Sequence, residues 1–291
     1  MSWVGTETLF LTTALQNLAN LQDVELRDYH ADGRYRDGTS WKSYGFMTMK
    51  QETGRMPQFF QQQPQTSTEV SRYFTIIAAA IKEAQRPLKT LATTLRKDGL
   101  VSAAFYIPEV QTLSFRDTFK SLEVLMLALA TSYGYSEPLS TDKGDTFPID
   151  PLDKFFTLVP NLIKLRLNFS FSHTTSQLLG SLNLSNTLCH LRQLELGKAK
   201  PSWANLEKFT TQWPQSLTHL TLMWITLSEG SWTSLLDSIK NKLSLTFIKL
   251  ESLRELRESH TPFIIGFQPV GTKFTSLEEV QQHSKLEHSG D

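Results

Sequence analysis

Cys189 and His190 stand side by side, a pairing that in other settings supplies a nucleophile with its base or a metal ion with two ligands. Neighbours on an extended strand point to opposite faces and cannot converge on one atom. The pair is therefore expected to be a buried cysteine beside an exposed histidine. Asp142, Asp145, Asp150 and Asp153 carry the residue type of a calcium loop. Their spacing misses the Asp-x-Asp-x-Asp-Gly pattern, and Pro148 and Pro151 interrupt it, so the group reads as a solvated loop. Trp203, Trp213 and Trp232 have the side chains of an aromatic cage, but they fall among helically spaced apolar neighbours and are expected to fill a core. Gly-x-Gly-x-x-Gly, Gly-x-x-x-x-Gly-Lys-Ser/Thr and Gly-x-Ser-x-Gly are absent. No catalytic residue, metal ligand or cofactor is assigned on these grounds.

Composition narrows the class further. Apolar residues make up 40% of the 291 and charged residues 20%, enough to bury a core and too little charge for a disordered chain. Lys plus Arg equals Asp plus Glu at 29 each, so no overall field attracts nucleic acid or an anionic membrane. One cysteine allows no intrachain disulfide, and the start MSWVGTETLFL lacks a basic n-region and a small-residue cleavage site. No apolar run approaches a membrane span. The expectation is an intracellular protein, cytoplasmic or nuclear, that binds neither nucleic acid nor membrane. The triplets Asn168-Phe169-Ser170 and Asn183-Leu184-Ser185 are read as chance in that setting.

The elements follow from a repeated phrase, Leu-x-x-Leu-x-Leu. Its copies are Leu21-x-x-Val24-x-Leu26, Leu122-x-x-Leu125-x-Leu127, Leu162-x-x-Leu165-x-Leu167, Leu191-x-x-Leu194-x-Leu196, Leu217-x-x-Leu220-x-Leu222 and Leu245-x-x-Ile248-x-Leu250. From Leu165 onward the interval stays within or at the edge of the roughly 20 to 29 residues of a leucine-rich repeat. Pro87-Leu88-x-x-Leu91 opens a weaker seventh unit. The fold class expected is α/β, an irregular leucine-rich-repeat solenoid of six or seven repeats, with parallel strands on the concave face and helices on the convex face. Return helices are read at Ser202 to Trp213, Glu229 to Leu243, Thr174 to Leu182, Pro151 to Val159 and Glu69 to Gln85, the last with Tyr73, Phe74, Ile77, Ala80 and Ile81 on one face. The solenoid is expected over 1–267, with polar insertions at 31–68 and 133–151, an edge strand from Pro262 to Phe267, and a polar tail over 268–291.

Regular repeats place Asn or Cys three residues after the last leucine. Here those positions hold Tyr29, Ala130, Ser170, Ala199, Ile225 and Leu253, which predicts an irregular curve. Period-two alternation then sends the residues beside the leucines to the concave face. They are Lys164, Arg166 and Asn168; Gln193, Glu195 and Gly197; His219, Thr221 and Met223; and Phe247, Lys249 and Glu251. The central row, Arg166, Glu195, Thr221 and Lys249, mixes charges in a way that suits a polar protein epitope better than a phosphate backbone.

These phrases, with Trp41-Lys42-Ser43-Tyr44-Gly45 and Gln51-Glu52-Thr53-Gly54, resemble the leucine-rich-repeat portion of fungal F-box proteins. The resemblance implies a substrate receptor in ubiquitin-dependent degradation. The first phrase lies too close to Met1 to leave room for an F-box, so docking to a ubiquitin-ligase adaptor is expected only if further coding sequence upstream supplies one. The function expected is a non-catalytic module that binds a protein partner on the concave face. The alternatives are a loop-based enzyme or biosynthetic accessory factor using His173, Asp145 and Asp150, or a truncated gene product.

Overall fold

Two leucines spaced two apart suit a strand with one buried face, and the apolar residue three before them anchors the turn that leads in. In the computed structural model, which describes residues 3–27, 67–95, 99–130, 150–169, 174–256 and 262–264, each phrase ends in such a strand. β1 (Asp23–Arg27), β2 (Thr90–Thr94), β3 (Val124–Leu129), β4 (Lys164–Phe169), β5 (Gln193–Ala199), β6 (His219–Leu227) and β7 (Phe247–Glu251) form one parallel series, β2 to β7 each pairing with the strand before. The register is shared from end to end. Val24, Leu91, Leu125, Leu165, Leu194, Leu220 and Ile248 lie opposite one another in turn. The weak phrase at Leu88 therefore supplies a strand of its own. Thr93 takes its last apolar position, and the Thr93 hydroxyl accepts a hydrogen bond from Ala128 N at 2.7 Å.

Parallel neighbours need a crossover on one side of the sheet. Helices α1 (Trp3–Gln16), α2 (Ser67–Ala84), α3 (Thr112–Phe119), α4 (Asp150–Phe156), α5 (Thr174–Ser181), α6 (Trp203–Thr210) and α7 (Trp232–Lys242) occur among the described residues. Their buried side chains join the strand leucines in one core. Where the crossovers are longest, Phe74, Phe105, Phe119 and Phe155 fill the space, with the Phe105 and Phe155 rings edge-on at 5.4 Å. Trp213 and Trp232 are buried and Trp203 is half-buried against the same core, which makes them filler. On α2, Phe74, Ala80 and Ile81 are buried as expected, while Tyr73 and Ile77 are half-buried.

Adjacent return segments are tied by side chains. Ser202 caps α6 by accepting from Asn205 N, and Ser176 on α5 accepts from Ser202 N and Asn205 Nδ2, both at 2.9 Å. Gln212 accepts from Leu184 N at 2.7 Å and donates to the Leu182 carbonyl at 2.8 Å. β8 (Arg254–Leu256), which the phrases did not announce, pairs with the second half of β6. β9 (Pro262–Ile264) pairs antiparallel with β8 and realises part of the expected edge strand. The expected insertions and tail lie outside the described residues, except that 67–68 begin α2 and 150–151 begin α4.

The positions where asparagine or cysteine was missed have their own solution. Lys198, Trp224 and Ser252 share a left-handed backbone, with φ of 56°, 55° and 52°. That residue breaks the alternation, so the next one, Ala199, Ile225 or Leu253, turns into the core and is fully buried. The expectation for Cys189 needs correction. It is exposed, as is His190, because both lie in the turn leading to β5 and not on a strand.

Candidate functional site on the open face of the sheet

Because the leucines and the helices share one core, the opposite face of the sheet has no helical layer among the described residues. Alternation and the common register arrange its side chains in rows. The entry row runs Asp23, Thr90, Val124, Lys164, Gln193, His219, Phe247, and the central row Glu25, Ala92, Met126, Arg166, Glu195, Thr221, Lys249. The exit row on β4 to β7 is Asn168, Gly197, Met223, Glu251. Every residue assigned to this face from the sequence thus falls on it.

The face is organised by contacts between strands. Glu195 accepts Lys164 Nζ at 2.6 Å and approaches Arg166 Nε at 2.8 Å, while its own side chain keeps 17% exposure. One carboxylate therefore serves two cations. The Asn168 amide lies over Gly197, whose missing side chain makes the room. The His219 ring stacks on Phe247 at 5.5 Å and 29°, and the Thr218 hydroxyl lies 2.8 Å from His219 Nδ1. Lys249 Nζ sits 2.8 Å from Glu251 Oε2 and 3.9 Å from Met223 Sδ. Thr221 is nearly covered.

Sequence reasoning missed two parts of this surface. On β1 to β3, Glu25 pairs with Arg27 and accepts from the Thr94 hydroxyl, and beside them Ala92, Met126, Val124 and Ala128 form a small, largely uncharged strip. The register of the Leu88 phrase was the signal that could have extended the rows so far. At the exit rim, Lys198 Nζ lies 5.7 Å from the centre of the Trp224 ring, and Trp224 is 46% exposed. Strict alternation has no place for either residue, since both occupy the left-handed break.

Nothing in this arrangement forms a nucleophile with its base, and among the described residues no group of three or more His, Cys, Asp and Glu could hold a metal. Asp145 and His173 lie outside the described residues, and Asp150 opens α4. Away from the open face's centre, a shallow hollow of about 310 Å³ is lined by Gln22, Lys89, Lys120 and Asn161 among others. Its Asn161 amide is already committed to the Lys120 carbonyl. No described helix is long and apolar enough to cross a membrane. The chain matches no protein-family model, no curated protein and no solved structure.

Proposed function

We propose that the chain is a non-catalytic protein-interaction module, an irregular leucine-rich-repeat solenoid whose concave sheet face binds a protein partner. The observation that carries this reading is the face itself. Seven strands in one register present aligned side chains with no helix over them among the described residues. Its mixed charges suit a polar protein epitope, and the balanced net charge disfavours a nucleic-acid backbone or an anionic membrane. The resemblance to fungal F-box repeat proteins supports a substrate-receptor role in ubiquitin-dependent degradation in the cytoplasm or nucleus, with docking to a ubiquitin-ligase adaptor only if an upstream F-box exists. No described residue favours the loop-based enzyme.

Affinity capture from a lysate, with wild type beside Arg166→Glu and Lys249→Glu, tests the reading. Proteins that bind wild type and are lost from both variants, with each variant still folded by circular dichroism, are the expected result. Identical captured sets remove the open face from consideration.

A further inference from the structure

We propose that the stretch of the open face from β4 to β6, with Lys164 and Arg166 in its rows and Lys198 and Trp224 at its rim, docks an acidic peptide segment of the partner protein. The proposal rests on the interaction-module reading and adds the chemistry of what is bound.

Charge points to it first. On the flanks each cation has its own carboxylate, Arg27 with Glu25 and Lys249 with Glu251. Between them the balance fails. Glu195 alone faces both Lys164 and Arg166, which leaves one positive charge in that trio without a counter-charge. Lys198 meets the Trp224 ring and no carboxylate among the described residues. A segment bringing two carboxylates completes both places. Lys198 follows Glu195 by three residues on β5, and Arg166 is the register partner of Glu195, so the two places lie roughly 10 Å apart along the strands. An extended peptide spans that with acidic residues two or three apart.

Trp224 is the independent sign. A bulky side chain on a left-handed backbone is disfavoured, and this one is nearly half exposed, so its own packing does little to offset the cost. The same break in the next repeat holds Ser252, a small residue. The fold therefore does not need an aromatic ring there. Tryptophan is among the residues on which interfaces concentrate their binding energy once a partner covers them, and an exposed one beside an unneutralised lysine offers such an anchor.

The test is selection of random peptides displayed on phage against the full chain, wild type beside Lys198→Glu, Arg166→Gln and Trp224→Gly. Expected are enriched peptides carrying two acidic residues close together near an apolar one. Their capture should fall at least about ten-fold with each variant. Trp224→Gly should at the same time keep or raise the melting temperature, because glycine is at ease at positive φ. A merely structural tryptophan would do the reverse, with a lower melting temperature and capture retained, and that result overturns the proposal. So do the absence of any enriched peptide, acidic peptides indifferent to Lys198→Glu and Arg166→Gln, and equal displacement by a single-stranded oligonucleotide. Enriched peptides without acidic residues that are lost with Phe247→Ala or Lys249→Glu would sink the acidic chemistry and leave the interaction-module reading standing. Capture that ignores every open-face substitution would sink both.

Discussion

Leu194 and Glu195 are neighbours in the chain with opposite surroundings. Leu194 has no exposed surface, so Leu194→Ala is expected to cost about 2 to 5 kcal/mol, the range for a large-to-small change in a core. Glu195 faces outward, and an ordinary surface position would tolerate alanine within about 0.5 kcal/mol. Its carboxylate, however, separates Lys164 from Arg166. We expect Glu195→Ala to cost roughly 1 kcal/mol at low salt, the upper end for partly exposed ion pairs, and less at high salt. Urea denaturation of both variants at two ionic strengths checks the pair. A salt-independent loss at Glu195 would mean that its role is packing. Glu207 offers a pH-dependent case, for hydrogen bonds from Lys242 and then Ser238 hold its carboxyl below the ordinary value. A depressed folded-state value favours folding once the unfolded carboxyl has ionised, so this contribution is complete above about pH 4.5 and is lost as pH falls through the folded value. Glu207→Gln should therefore melt below wild type near neutral pH and converge with it in acid. Melting temperatures across that range decide it.

At the scale of elements, glycines separate what can yield from what cannot. A β-carbon on Gly197 would stand 2.3 Å from Asn168 Oδ1, the end of a side chain free to rotate. On Gly99 it would stand 2.3 Å from the backbone of Leu129 and Ala130, where Leu100 bridges β3. Gly99→Ala is therefore expected to lower the melting temperature more than Gly197→Ala, and the reverse order would mean that the bridge at Leu100 is slack. The strands were legible because leucines two apart have one physical use in a half-buried sheet, and α6 and α7 because their apolar residues recur at helical spacing. α1 was not legible. Its apolar residues face both ways, with Leu15 buried while Leu9 and Phe10 are exposed, and no single stripe marks it. Arg254-Glu255-Leu256 carries no alternation that would announce β8. The open-face rows on β4 to β7 could be read from period two alone, whereas Lys198 and Trp224 could not, because nothing in a lysine or a tryptophan signals a left-handed backbone. Cys189 departs from its expectation for a related reason: the residues leading into the phrase form a turn, which the alternation of a strand does not reach.

Across the whole molecule, burial is uneven from end to end. Leu165, Leu194 and Leu220 are fully covered, with a strand on each side, whereas Val24 and Leu26 of β1 are only partly buried at the edge of the sheet. Stability in a stacked array is a sum of neighbour contacts, so the ends should open first. Amide hydrogen exchange is expected to be slowest in β4 to β6 and fastest in β1. Uniform protection would mean that the sheet unfolds as one unit. The order of the strands, β1 through β6 in the sheet as in the chain, also has a consequence for synthesis. On the ribosome each of β3 to β7 emerges to find its template already made, so the sheet can grow by accretion with little searching. β1 is the exception. It leaves the exit tunnel long before Leu91, its register partner for Val24, has been translated. For that interval its backbone donors and acceptors lack the partners that β2 will supply, and the first strand made is the one that nascent-chain chaperones would have most reason to hold.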